Sequence, residues 1–339
     1  MEKTPTIISI PAKEMQERFT DILVKEGFTQ DKALQCAEIF TGNSVDGIYT
    51  HGVNRFPRFV QYIKKEFVKV DAIPSLENKY GGMEQWNGNL GPGILNAIHA
   101  TESVMRLAKQ NGIGCVALSN TNHWMRGGSY GWQAAKEGYV FIGWTNTIAN
   151  MPAWGAKDAR LGNNPLVMAL PYHEEAIVLD MAMSQYSYGA LELSTLKNET
   201  LSVYGGFDTE GTLTKNPSAI LASNNPLPIG YWKGSGLALL LDLLATILSG
   251  GLATHEISKK EAEYGLSQVF IAIDISKPGN HSSVTKIIDG IINDYHQSLP
   301  TDESKKIIYP GERVLFTRKN NLANGIPVMK KVWDEISLL

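Results

Sequence analysis

The sequence predicts an α/β protein of the α+β type: a mixed, largely antiparallel sheet flanked by helices, joined to a helical unit built from both ends of the chain. Three observations carry this. Apolar residues recur at three- and four-residue spacing near the start (Met15, Phe19, Ile22, Leu23) and again near the end (Ile287, Ile288, Ile291, Ile292). Between them, from Ser75 onward, Gly81-Gly82, Gly88 and Gly91-Pro92-Gly93 punctuate short apolar runs of strand length. Helices separate only some of those runs, and Leu166 to Leu170 and Ile177 to Met181 are joined by a short turn. That pair should run antiparallel, which rules out the all-parallel sheet of strict β-α-β alternation. The expected division is a helical unit from residues 1–75 with 276–339, and a sheet unit from residues 76–275.

The elements follow in order. Pro11 opens a first helix and Gly27 closes it. A second starts after Thr29 as its N-cap, carries Ala33, Leu34, Ala37 and Phe40 on one face, and ends near Asp46-Gly47. Asn54 reads as the N-cap of a third, with Pro57 in its first turn. A long helix from Ile94 to Gln110 leads into a strand at Ile113 to Leu118. Further strands are expected at Val140 to Trp144, Leu166 to Leu170, Ala176 to Met181 and Val269 to Ile275. The apolar run Leu237 to Leu248 reads as a buried helix. The tail returns to helix, with a second stripe at Val328, Val332 and Ile336, and should pack on the N-terminal helices.

Composition narrows the function. With 339 residues, 43% of them hydrophobic, the chain is long enough for about two packed units and too apolar to be disordered. Its 31 Lys+Arg nearly balance 34 Asp+Glu, and its lysine pairs are scattered, so no nucleic-acid partner is expected. Leu237 to Leu248 carries Asp242 and is shorter than the roughly 20 residues of a membrane span, so no membrane partner is expected either. Cys36 and Cys115 form no metal or redox spacing and suit a reducing cytoplasm. The first five residues carry no export signal.

Chemistry concentrates in a few segments. Gly112-Ile113-Gly114-Cys115-Val116-Ala117 matches the dinucleotide fingerprint in letters, but it leaves a helix and enters a strand, the reverse of what that motif requires. Gly234-Ser235-Gly236, preceded by Lys233 and followed by a helix, is better placed to present backbone N–H groups to an anion; it reads equally as a tight turn before a core helix. Asp46 to Phe56 sets His51 between two glycines, with Arg55 four residues on. A histidine can hold a proton near neutral pH and a guanidinium can grip a carboxylate, as reduction of a 2-oxo acid needs. The bland alternative is a loop histidine and a surface arginine. Asn120 to Ser129 carries His123, either a substrate-orienting group or a structural histidine. Gly162-Asn163-Asn164-Pro165, Asp180 to Ser184 and Pro310-Gly311-Glu312-Arg313 read locally as turns. Histidines 99, 173, 255, 281 and 296 show no ligand spacing, so no metal is expected. No G-x-S-x-G elbow supports a serine nucleophile.

At these residues the chain resembles the malate/L-lactate dehydrogenase family that lacks a Rossmann fold, and within it the bacterial subgroup that reduces 2,3-diketo-L-gulonate. The runs Tyr49 to Phe59, Asn122 to Trp132 and Gly230 to Gly236 look like that subgroup's motifs, and the similarity extends from about residue 12 to the C-terminus. The resemblance implies a cytoplasmic homodimer with a non-Rossmann cofactor domain. It implies reduction of a 2-oxo sugar acid by NADH, with NADPH as the alternative cofactor and malate, lactate or ureidoglycolate dehydrogenation as the sibling activity; a sugar-acid-binding protein that has lost turnover is the non-catalytic alternative, against which the presence of both His51 and Lys233 speaks. His51 would be the general acid, with His123 the other catalytic candidate, and Thr50 and Arg55 would bind substrate. Three segments would hold the cofactor: Ala176, Ile177, Val178, Leu179, Asp180, Met181 and Ala182; Trp232 and Lys233; and Gly311, Glu312 and Arg313. The chain departs from the family's usual serine at Thr50, its Gly-Thr-Asn-Pro at residues 162–165, and the subgroup's histidine at Glu312.

Overall fold

A computed structural model describes residues 6–339; the expected absence of an export signal concerns residues 1–5, which lie outside the described residues. The chain runs β1 (Ile7–Ile10), α1 (Ala12–Lys25), α2 (Gln30–Val45), a short 3-10 turn (Tyr49–His51), α3 (Phe56–Lys64), β2 (Ser75–Tyr80), β3 (Met83–Asn87), α4 (Gly93–Asn111), β4 (Ile113–Thr121), α5 (Gly127–Lys136) and β5 (Tyr139–Thr145). It continues through β6 (Met151–Pro152), β7 (Ala159–Leu161), β8 (Leu166–Tyr172), β9 (Glu175–Met181), α6 (Tyr188–Leu196), β10 (Gly206–Phe207), β11 (Leu213–Thr214), α7 (Pro217–Ser223) and α8 (Trp232–Ser249). Last come α9 (Thr254–Ile257), β12 (Leu266–Asp274), a second 3-10 turn (His281–Ser283), α10 (Val284–His296), α11 (Glu312–Asn324), β13 (Ile326–Met329) and α12 (Lys330–Ser337).

The central sheet has seven strands in the order β2-β3-β4-β12-β5-β8-β9, and it is mixed as expected. Only β3 and β4 pair in parallel, linked by α4 as the crossover; every other neighbour is antiparallel, including the β8–β9 hairpin. Gly112 ends α4 with φ 85° and delivers the chain into β4, so that glycine run is a helix stop. On one face α4 and α5 bury Leu107, Trp124, Tyr130 and Phe270; on the other α8 packs Ala238, Leu241 and Ala245 against Trp144 and Val269. A separate core joins α1, α2 and α3 to the C-terminal β13 and α12 through Phe19, Phe40, Phe56, Val328, Trp333 and Ile336. Its rings are close, with Phe19 and Phe56 stacked at 4.0 Å.

Several local expectations shift. Thr29 caps α2 through Lys32 N, but Leu34 is exposed and Cys36 takes its place in the core. Helix α3 is capped at Arg55 and not Asn54, because the Tyr49–His51 turn holds Asn54 N on Tyr49 O. Val328 lies in a strand paired with β1, so the last apolar stripe is part strand and part helix. That stripe reaches the N-terminal helices, as does α11 through Asn321, which donates to Val45 O at 2.9 Å. Helix α10 is held at the β8–β9 end instead, with Asp289 on His173 at 2.8 Å, and leaves Ile287 and Ile291 exposed. Helix α8 is not buried all round: Leu239, Leu240, Leu243, Leu244 and Ile247 face outward. Its 18 residues are long and apolar enough to cross a membrane, yet Asp242 accepts hydrogen bonds from Asn146 and from Thr254 N, both 2.9 Å, which ties the helix to the sheet.

Candidate active site

His51 is delivered by the short turn between α2 and α3. The turn sits so close on α2 that a Cβ at Gly52 would stand 2.9 Å from Phe40 O and Ser44 N, so residue 52 must be glycine for lack of space. Ser44 Oγ accepts from Val53 N at 2.8 Å, and Asn43 donates to His51 O at 2.9 Å. Ser129 in α5 in turn donates to Asn43 Oδ1 at 2.7 Å, joining the helical part to the sheet part beneath the histidine.

His123 arrives just past the end of β4. Asn122 pins that end by donating to the carbonyls of Phe67, Leu90 and Gly91 at 2.8–3.0 Å. The two imidazoles stack with centroids 5.7 Å apart and planes 15° from parallel. Met125 N, in the left-handed region at φ 66°, donates to His123 Nδ1 at 2.9 Å, which leaves the ring's proton on Nε2. Thr50 Oγ1 lies 3.3 Å from His51 Nδ1, so Nε2 is the nitrogen left for a ligand. A pocket beside His123 is lined by Arg55, Arg58, Phe59, Tyr62, Val68, Asn122 and Met125.

The electrostatics of this cluster are those of an anion site. Burial first, then Arg55 and Arg126, push the His51 imidazole down to about 4, and burial with Arg55 and His51 holds His123 well below the usual histidine range. Arg55 is half-buried and forms no ion pair among the described residues. Burial lowers its affinity for its proton, and nearby Glu263 and Glu192 partly offset this. A half-buried guanidinium without a partner is costly alone and is satisfied by a carboxylate ligand.

The three segments expected to hold a cofactor converge on β9. Val178 N donates to Pro310 O at 3.1 Å, bringing in Gly311, where a positive φ of 93° and a Cβ only 3.2–3.3 Å from Val178 and Trp132 favour glycine. At the other end, Ile229 N donates to Met183 O at 2.8 Å, which sets the start of α8 beside Ala182. Asp180 accepts from Gly128 N at 2.8 Å and is exposed to the cleft. Trp232 is exposed, as are Lys233 and Arg313, neither of which has an ion-pair partner among the described residues. Glu312 is already engaged: its Oε2 accepts from Tyr309 N at 3.0 Å and lies 3.1 Å from His296 Nε2.

One expectation fails in detail. The backbone donors at the start of α8 are not free for an anion, because Lys233 N, Gly234 N and Ser235 N are bonded to Gly230 O, Ile229 O and Tyr231 O. Gly234 is there for close packing on Ile229, and Gly236 faces open space, so the glycine pair is the tight turn before a helix. What remains for a ligand is the Lys233 ammonium.

Sequence reasoning missed the residues that hold the site together. Asp46 receives Arg126 at 2.5 Å and Arg318 at 2.7 and 3.1 Å, and both guanidiniums lie over the Trp132 ring, at 5.7 and 4.7 Å. No local spacing could reveal a contact between residues 272 positions apart. Glu192 and Glu263 carried no motif either.

The profile of the family described as malate/L-lactate dehydrogenase matches residues 10–337. A 2,3-diketo-L-gulonate reductase of Citrobacter koseri is 42% identical over 333 residues, covering 98% of this chain and all of that protein. Among solved structures, malate dehydrogenase from Entamoeba histolytica superposes with a TM-score of 0.93 at 22% identity, covering 98% of this chain and 97% of the other. Malate dehydrogenase from Pyrococcus horikoshii OT3 gives 0.88 at 26% identity, covering 98% and 94%. The match spans both the histidine turn and the β9 cleft, and this chain belongs to the malate/L-lactate dehydrogenase family.

Proposed function

We propose that the protein reduces 2,3-diketo-L-gulonate to 3-keto-L-gulonate with NADH. The observation that carries this is the stacked His51–His123 pair beside the unpartnered Arg55 guanidinium, in a chain 42% identical to a reductase of that name. The exposed Asp180, Trp232, Lys233 and Arg313 suit a nicotinamide dinucleotide: cations for a pyrophosphate, an aromatic face and an acceptor for ribose hydroxyls. With Ala176–Ala182 and Gly311–Arg313 they would hold it, and when bound it supplies the hydride. No side chain here singles out NADH from NADPH, and the preference for NADH rests on the resemblance.

The chain's own residues do the rest. Arg55 binds the substrate carboxylate through two parallel hydrogen bonds and fixes the neighbouring ketone. Pairing Arg55 with a carboxylate offsets one of the charges that, after burial, hold His51 neutral, so substrate binding raises the proton affinity of His51. Its Nε2–H then protonates the carbonyl oxygen as the hydride arrives. His123, with its proton held on Nε2 by Met125 N, is a fixed neutral donor to the same oxygen.

The outward apolar row on α8 supports a homodimer, because an exposed stripe of five large aliphatic residues is stable when covered by a second copy. The separate cores support a helical unit of α1–α3 with β13 and α12, and a cofactor-binding unit that also takes in α10 and the Val314–Leu315 side of α11, in place of a helical unit holding all of residues 276–339. Free Cys36 and Cys115 suit the cytoplasm. The test is NADH absorbance with purified protein against diketogulonate, oxaloacetate and pyruvate. Fastest turnover of diketogulonate is expected; equal or faster turnover of oxaloacetate would move the assignment to the malate type.

A further inference from the structure

Helix α6 closes over the substrate side of the site. Its first turn rests on Thr50: a Cβ added at Gly189 would stand 2.7 Å from Thr50 Cβ and Cγ2. The helix is anchored there, since Tyr188 donates to Asn150 O at 2.8 Å and Leu191 is buried in a small core with Leu201 and Ile220. Glu192 follows Gly189 by three residues and therefore shares its face, the one turned to Thr50. It is exposed and makes no hydrogen bond or ion pair among the described residues. A second carboxylate, Glu263, is fixed by Ile148 N at 3.2 Å and keeps its other oxygen free.

We propose that Glu192, together with Glu263, selects a neutral, hydroxylated tail on the 2-oxo acid and rejects a tail ending in a second carboxylate. A carboxylate only accepts hydrogen bonds, which a polyol tail donates in pairs and a second anion cannot supply. A like charge in that place is repelled, so one pair of side chains both attracts the sugar acid and excludes the dicarboxylate. Tyr264, next to Glu263, stacks on Phe67 with ring centroids 4.9 Å apart, and Phe67 O accepts from Asn122 beside His123, which sets Glu263 at the same end of the site; neither glutamate closes an ion pair with Arg55 among the described residues. The inference rests on the reading of the protein as a 2-oxo-acid reductase and names the residues that set its substrate class.

The test is steady-state kinetics of the full-length protein with NADH on diketogulonate, oxaloacetate and pyruvate, alongside NADH binding by calorimetry. Glu192→Ala removes the acceptor and should lower kcat/KM for diketogulonate about tenfold, mainly through KM, with pyruvate within about twofold of wild type because it has no tail. Glu192→Gln removes only the charge and should raise kcat/KM for oxaloacetate about tenfold. Glu263→Gln, which keeps an acceptor for Ile148 N, should shift oxaloacetate the same way. An unchanged diketogulonate-to-oxaloacetate ratio in all three variants overturns the proposal, as does an equal fall on pyruvate. A wild-type protein that reduces none of the three acids would remove the reductase reading itself, and this inference with it.

Discussion

Arg318 grips Asp46 through two parallel hydrogen bonds, of 2.7 and 3.1 Å, and so clamps α11 to the end of α2 directly before the turn that carries His51. Arg126 takes the same carboxylate from the start of α5. Asp46 is therefore the point where α2, the start of α5 and α11 meet. Asp46→Asn leaves the buried Arg126 guanidinium without its counter-charge, while Arg318 keeps Glu175 at 3.3 Å. A loss of about 3 to 5 kcal/mol in unfolding free energy is expected, the range for breaking a buried pair by removing one partner. Urea unfolding measures it, and a loss below about 1 kcal/mol would show the clamp to be dispensable.

His51→Gln keeps size and polarity but cannot deliver a proton. We expect kcat to fall by roughly 10² to 10⁴, with NADH affinity unchanged. Turnover within a few-fold of wild type would transfer the acid role to His123, whose Nε2 proton is already held in place by Met125 N.

Proton uptake should accompany substrate binding. Because burial and two arginines push His51 from 6.5 to about 4, the ligand-free fold keeps it neutral at pH 6, where the unfolded chain would protonate it. Stability contributed by this group is thus complete above the unfolded value and declines as pH falls from about 6.5 towards 4. A carboxylate on Arg55 works in the opposite direction on His51. Calorimetry of a non-reacting 2-oxo-acid analogue at pH 6, in buffers of different ionisation enthalpy, should show net proton uptake that disappears in His51→Gln. Buffer-independent heats in the wild type would rule out the charge coupling.

Lys233→Met isolates the ammonium, since the neighbouring backbone donors are spent on the turn. NADH binding should weaken by about 1.5 to 3 kcal/mol, as for a hydrogen bond to a charged group. Unchanged NADH affinity by calorimetry would assign residues 233–236 a purely structural role.

Arg55→Lys keeps the charge and loses the two-pronged geometry. kcat/KM for diketogulonate should drop at least about tenfold, or roughly 1.4 kcal/mol of transition-state binding. A variant as efficient as wild type would show that Arg55 is not the carboxylate anchor.

What the sequence determined by itself was whatever local periodicity and chain reversal encode. The α1 face of Met15, Phe19, Ile22 and Leu23, the Thr29 cap, the Gly112 stop and the β8–β9 hairpin all rest on contacts within a few residues, so their signals are written in short spacings. The motif runs around His51, His123 and Lys233 were likewise legible, as words without positions. Only the tertiary structure decided that two of those words stack their rings at 5.7 Å, that α8 leaves one apolar face bare, and that α10 sits on the hairpin. The cause is the same each time. Which face of an apolar helix is covered, and which charges meet, depends on partners brought in by chain closure over hundreds of residues. The Asp46–Arg318 clamp and the seating of Gly189 on Thr50 exist only once the sheet order and the return of the C-terminus are set.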